Sequence, residues 1–201
     1  PLFGAGQGTT GGPFFWLLLF KIIYEAIDKS YLGMSFISPC KNHISERLGD
    51  AFVDDTAFGA TAHYPESHYE VTEERITEQE LEALTLLTLL GQQYEKLLHA
   101  TGGALNLAKC FWILLSWRWV EGKAYVKTKA EVPMQLLLTS GYSTQREEVP
   151  RQEPSSSYRT LGVYISADGN MKQALSLHRQ TSEKFAGLLS SSQLNRAGLV
   201  V

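Results

Sequence analysis

The spacing of apolar residues changes period several times along this chain, and each change marks an element. From Phe14 to Ile27 the run is apolar except at Lys21 and Glu25. Pro13 stands where a helix can begin, so the pattern predicts a largely buried helix over about 13–30. Met34 to Ser38 alternates weakly and reads as a strand ending before Pro39, and Arg47 to Phe58 reads as a hairpin of two short strands around a turn at Asp54-Asp55. Residues 65–79 turn polar and acidic, as a surface insertion does. Leu81, Leu84, Leu87, Leu90, Tyr94 and Leu97 then keep a three-to-four spacing until Gly102-Gly103, with Thr77 as N-cap and Glu80 three residues on. This predicts a helix over about 78–100.

The second half is richer in strands. Phe111 to Val120 and Ala124 to Lys129 are β-rich runs joined through Glu121-Gly122-Lys123, an expected hairpin, and Met134 to Thr139 adds a further strand. Trp117 and Trp119 alternate with Arg118; core packing is the expected role, a partner surface the other. A stretch of Pro, Ser and Gln over 150–157 breaks the pattern. Tyr158 to Ser166 reads as one strand, Asp168-Gly169-Asn170 as a turn, and Met171 to Leu189 as an amphipathic helix. No internal repeat is visible. The order helix, hairpin, helix, sheet, helix predicts a mixed α+β domain.

Composition narrows the class. With 201 residues, 44% hydrophobic and 19% charged, the chain can bury a core and is neither disordered nor collagen-like. The longest apolar stretch, Phe14 to Phe20, falls short of the roughly 20 residues a membrane span needs, so no membrane helix is expected. Cys40 and Cys110 stand alone, which suits a reducing compartment better than a disulfide scaffold. The chain starts at Pro1, has its first methionine at Met34 and shows no targeting pattern, so it reads as a fragment of something longer. The net charge of −3 is unevenly placed. Residues 1–101 carry 6 Lys and Arg against 14 Asp and Glu, and residues 102–201 carry 12 against 7, which suits either a surface facing phosphates or a solvated sheet face.

Four segments carry candidate chemistry. Gly4-Ala5-Gly6-Gln7-Gly8 opens a glycine-rich loop that lets backbone approach a planar or phosphate-bearing ligand, with Gln7 as donor and acceptor. Gly6, Gly8 and Gly11 also fit a dinucleotide fingerprint, but no preceding strand or parallel sheet is evident; a purely structural loop is the third reading. Phe52-Val53-Asp54-Asp55 leads an apolar strand into two carboxylates, which are hard ligands suited to Mg²⁺ with substrate phosphates, or else ordinary occupants of an exposed turn. Asp50 is a helper carboxylate or a solvated one. Asn106-Leu107-Ala108-Lys109 reads as a short strand whose lysine meets a triphosphate, donates a proton, or is simply solvated. Tyr158 to Ile165, with Gly162 inside it, is by itself only a strand with a glycine.

In order and content the four segments together resemble the palm of a reverse transcriptase of the retroelement, non-long-terminal-repeat kind. The G-x-x-Q-G loop before a buried helix is matched by Gly4 to Gly8, and the aromatic-x-D-D hairpin by Phe52 to Asp55, with phenylalanine where tyrosine is usual. The helix ending in glycine before N-x-x-K is matched by Gly102-Gly103 and Asn106 to Lys109, and the Y-L-G-V primer-grip hairpin by Thr160-Leu161-Gly162-Val163. The resemblance covers about residues 4–166, a partial palm, with 167–201 as the start of a helical thumb. The Thr9 to Gly12 extension, the acidic insertion and the sheet over 111–149 depart from the family pattern.

The resemblance implies a nucleotidyltransferase, an RNA-directed DNA polymerase of a retrotransposon. It implies Asp54 and Asp55 as catalytic metal ligands for Mg²⁺ or Mn²⁺, and Gly6, Gln7 and Gly8 against the template-nucleotide pair. Lys109 would lie near the incoming triphosphate, Leu161 and Gly162 under the primer end, and basic residues of the second half along backbone phosphates. The implied partners are an RNA template, a DNA primer, deoxynucleoside triphosphates and other domains of a parent polyprotein. A further catalytic aspartate is expected on a strand before Pro1, together with the fingers, so the fragment is expected to be inactive alone. A non-catalytic nucleic-acid-binding or interaction module derived from such a palm is the alternative, and a nucleotide-binding oxidoreductase would need a parallel sheet that the pattern lacks. Copying into a eukaryotic genome would require nuclear access; localisation is otherwise open.

Overall fold

A computed structural model describes residues 12–28, 33–38, 40, 42–52, 55–62, 72–160 and 163–191. These form an α+β fold of three helices and ten short strands, each strand paired with one neighbour in an antiparallel ladder. The antiparallel sheet with packed helices that a palm implies is, among the described residues, five separate two-stranded ladders. The loop with Gly6, Gln7 and Gly8, the metal candidate Asp54, and Leu161 and Gly162 lie outside the described residues. No helix of the described residues is long and apolar enough to cross a membrane. The chain divides into two compact units, residues 1–112 with 134–151 and residues 113–133 with 152–201.

The first unit is built on two helices. α1 (Gly12–Asp28) and α2 (Glu73–Ala100) share a core of Phe20, Ile23, Ile27, Leu90, Tyr94 and Leu98. These positions recur every three to four residues on each helix, so they form one stripe per helix. Largely buried was the expectation for α1, and it holds for that stripe only: Phe14, Phe15, Leu17, Leu18 and Ile22 are exposed. An apolar run shows which residues dislike water but not how many neighbours arrive to cover them. α2 starts earlier than the pattern predicts, because Thr72 and not Thr77 caps it, its hydroxyl accepting the Arg75 N–H at 3.3 Å. Thr77 is inside the helix and donates to the Glu73 carbonyl at 2.9 Å.

β1 (Met34–Ile37) pairs with a strand the pattern missed, β2 (Ile44–Arg47). The predicted hairpin is β3 (Gly49–Phe52) with β4 (Asp55–Phe58), and Phe52 pairs with Asp55, so Asp55 belongs to the strand and not to the turn. β7 (Leu136–Leu138) packs on α2 and pairs with β8 (Glu147–Val149). Trp112 is buried beside this ladder, its indole N–H donating to the Val149 carbonyl at 3.1 Å and the Arg151 guanidinium lying 4.8 Å from its ring centroid.

The second unit contains β5 (Trp117–Val120) paired with β6 (Lys123–Val126), and β9 (Ser157–Thr160) paired with β10 (Val163–Ser166). The single strand predicted over 158–166 is therefore a hairpin. Asp168 to Asn170 form the expected turn, and the Asn170 side chain accepts the Lys172 N–H at 3.1 Å at the start of α3 (Lys172–Ser191). Trp117 and Trp119 are not core residues but exposed, since β5 and β6 form a ladder of only two strands.

Candidate functional site

Alternation along the β3–β4 hairpin separates a packing face from a chemical face. Gly49, Ala51, Thr56 and Phe58 share one side, and Asp50, Asp55 and Ala57 share the other. The Phe58 ring sits 4.7 Å from Tyr94 of α2 and 5.5 Å from Tyr24 of α1, centroid to centroid. Thr56 Oγ1 lies 3.3 Å from the Tyr94 hydroxyl. Gly49 lies opposite Phe58, where an added Cβ would collide with the Ala57 carbonyl oxygen and crowd the ring at 3.0 Å. The hairpin therefore rests on both helices through its apolar side, and Asp55 is turned to solvent.

Asp50 is a diagonal neighbour of Asp55 across the ladder, a relation that spaces Cα atoms about 7–8 Å apart. Its carboxylate is ion-paired with Arg47. Both partners are well exposed, so the pair adds little stability but puts a guanidinium beside the acidic face. Beneath the hairpin, burial pushes the Tyr24 hydroxyl up to about 12, with the Asp50 carboxylate adding to the rise. Its oxygen is buried and has no hydrogen-bond partner among the described residues. Burial also raises Tyr94, against the opposing hydrogen bond to Thr56.

The same turn of α2 that seats the hairpin also holds the lysine segment. Glu95, adjacent to Tyr94 and 2% exposed, accepts the Leu105 N–H at 2.8 Å and the Gly141 N–H at 2.5 Å. One turn earlier, Gln92 accepts the Thr139 N–H at 2.9 Å and donates to its hydroxyl at 2.7 Å. Ser140 closes the set by donating to the Leu105 carbonyl at 2.5 Å. These bonds pin residues 105 and 139–141 to one helix. The segment Leu107–Lys109 is a single 3₁₀ turn and not the strand predicted: Leu107 is buried, and the Lys109 and Cys110 N–H groups return to the Asn106 carbonyl at 2.9 and 3.2 Å. Lys109 ends that turn with its side chain exposed.

Asp55 and Lys109 are thus carried by adjacent residues of α2, Tyr94 and Glu95. Glu95 and Gln92 are the positioning residues that sequence reasoning missed; the available signal was two polar side chains three apart inside an apolar helical stretch. Among the described residues no group of three His, Cys, Asp or Glu gathers for a metal. Of the two expected metal ligands, Asp54 and Asp55, Asp55 is exposed on the hairpin, with Asp50 on the same face ion-paired to Arg47. The strands that flank the primer-grip candidates in sequence, β9 and β10, pair with each other in the second unit. Compared with protein-family models, curated proteins and solved structures, the chain matches none.

Proposed function

We propose that this chain is part of the palm of a retroelement reverse transcriptase, in which Asp54 and Asp55 hold Mg²⁺ or Mn²⁺ for template-directed DNA synthesis. The observation that carries the reading is the β3–β4 hairpin resting on two helices with Asp55 in water, while Glu95 in the same turn of α2 fastens Leu105 immediately before the N-x-x-K segment. A polymerase needs such an arrangement, since its carboxylates must be both rigid and open to a nucleotide. A metal held by Asp54 and Asp55 would supply the positive charge that activates a primer 3′ hydroxyl and offsets charge on the departing pyrophosphate. Lys109 meets the triphosphate, Gly6, Gln7 and Gly8 lie against the template-nucleotide pair, and Leu161 and Gly162 support the primer end. The new bond joins the 3′ oxygen to the α-phosphorus as the bond from that phosphorus to pyrophosphate breaks.

A non-catalytic nucleic-acid-binding module derived from such a palm is the second reading. The Arg47 guanidinium on Asp50 favours it, because a cation already occupies part of the acidic face. Primer extension on a homopolymer RNA template with Mg²⁺ separates the two. The chain extended upstream through the further aspartate-bearing strand is compared with its Asp54→Asn variant. Extension that vanishes in the variant supports the polymerase; a folded protein that binds nucleic acid without extending it supports the module.

A further inference from the structure

The β7–β8 ladder carries the buried residues Leu136, Leu138 and Val149 on one face, and strand alternation puts Glu147 on that face with them, across from Leu138. Leu137 and Glu148 take the opposite face. A carboxylate among packing residues ordinarily has a partner, because an uncompensated charge beside apolar surface is costly. The Glu147 carboxylate has none among the described residues. Neither does the side-chain amide of Asn106, which makes no cap to the 3₁₀ turn it precedes. Both side chains line a cleft of about 460 Å³, open to solvent and lying wholly within the first unit.

The walls of this cleft are fixed before any ligand arrives. Glu95 holds the Leu105 N–H, Ser140 donates to the Leu105 carbonyl, and the Asn106 carbonyl accepts the N–H groups of Lys109 and Cys110. Its volume lies within the roughly 300–1,000 Å³ of small-ligand sites. Ala104, Leu105, Leu107 and Ala108 supply apolar wall, and Glu147 is the one charged residue of the lining. An anion would meet the carboxylate, and a wholly apolar group would strip water from it without replacement. A divalent metal ion would find a single carboxylate where it needs several oxygens. An organic cation on an aliphatic stem satisfies both halves of the lining. A guanidinium suits it better than an ammonium, being more weakly hydrated and able to bond a carboxylate through two parallel N–H groups. We propose that the cleft binds a guanidinium on an aliphatic stem, the head on Glu147 and the Asn106 amide oxygen, the stem along Leu105 and Ala108. That class covers an arginine side chain of a polypeptide and a free alkylguanidine. The site is separate from the acidic hairpin and does not depend on polymerase activity.

The test is an amide-resolved NMR titration of the chain with N-acetyl-arginine methylamide, agmatine, methylguanidinium and N-acetyl-norleucine methylamide, repeated on Glu147→Gln and Glu148→Gln. The same spectra show that each variant is folded. Saturable shifts are expected at the amides of Asn106, Ala108 and Glu147. Glu147→Gln should weaken binding by about 10-fold, the low end for losing a hydrogen bond to a charged group, because the cleft is open to water. Glu148→Gln removes the same charge from the opposite face of β8 and should bind as the wild type does. Methylguanidinium, which lacks the stem, should bind at least about 5-fold less tightly than agmatine. The norleucine compound, a stem without a head, should not saturate. Binding of agmatine alone identifies a free alkylguanidine and binding of the capped arginine alone identifies a polypeptide; either supports the cleft. Absence of saturable shifts at these amides with both, equal weakening by Glu147→Gln and Glu148→Gln, or binding of the norleucine compound as tight as that of arginine overturns the proposal.

Discussion

In the first unit Phe20, Tyr24, Phe58 and Tyr94 form a connected set of rings with centroids 4.7–6.2 Å apart, whereas in the second Trp117 and Trp119 stand in solvent. Charge follows the same division, with the aromatic core in the acidic unit and the exposed indoles in the basic one. Among the described residues, the buried apolar side chains of the second unit are only Val132, Pro154 and Ala174, against a dozen in the first. A two-stranded hairpin with so little buried beneath it gains little from its own packing. The first unit thus spends its aromatics on stability, which rigidifies the hairpin bearing Asp55. The second leaves its two β5 indoles exposed.

The largest effect that would break this comparison is expected at Tyr94. Its ring packs on Phe20 and Phe58, and its hydroxyl reaches Thr56. Tyr94→Ala should cost about 3–5 kcal/mol, the usual loss for a buried aromatic, read from urea unfolding. A loss under about 1 kcal/mol would mean the ring cluster does not carry the first unit.

Next comes Glu95→Ala, which leaves the Leu105 and Gly141 N–H groups without their acceptor. The expected cost is about 2–4 kcal/mol, since each buried donor left unpaired is worth about 1–3. Amide exchange at Leu105 and Gly141 should accelerate most. Uniform acceleration, with no excess at those two amides, would sink the view that Glu95 positions the lysine segment.

A smaller effect of opposite sign is expected at Tyr24. Its buried hydroxyl has no partner, so Tyr24→Phe should stabilise the protein by about 0.5–1 kcal/mol near neutral pH. The pH dependence sharpens the test. A tyrosine held above its ordinary value of 10 stabilises the fold fully below that pH, and the contribution is lost as pH rises toward about 12, because the unfolded chain ionises first. The wild type should lose stability through that window more steeply than Tyr24→Phe in chemical denaturation, and parallel curves would contradict the assignment.

What the chain reveals on inspection follows the same physical divide. Leu90 and Tyr94 of the α2 stripe are legible because periodicity reports which residues share a face, although the buried residue that follows them is Leu98 and not Leu97. The hairpin over 47–58 was legible for a related reason, although Asp55 begins β4 and does not sit in the turn where the pattern put it. Periodicity does not report whether a second layer covers a face, so the exposure of Leu17, Leu18, Trp117 and Trp119 was not predicted. Nor could it give the 3₁₀ turn at Leu107–Lys109, whose approach is fixed at Leu105 by a carboxylate ten residues before it, Glu95. A glutamate in mid-helix ordinarily reads as solvated, and Glu95 differs only because Leu105 and Gly141 bring their N–H groups to it.

The smallest effect expected is on stability at Trp119, and it bears on the comparison most directly. A ring that is 66% exposed, opposite Ala124, forfeits little packing when removed. Trp119→Ala should therefore change the unfolding free energy by no more than about 0.5 kcal/mol, as surface substitutions do. Tyr94→Ala is expected to cost several times that, although a tryptophan is the larger side chain. Size gives stability only where neighbours already surround it. If Trp119→Ala instead costs more than about 2 kcal/mol, the indole is packed within the fold, and the contrast between a self-sufficient acidic unit and an outward-facing basic one fails.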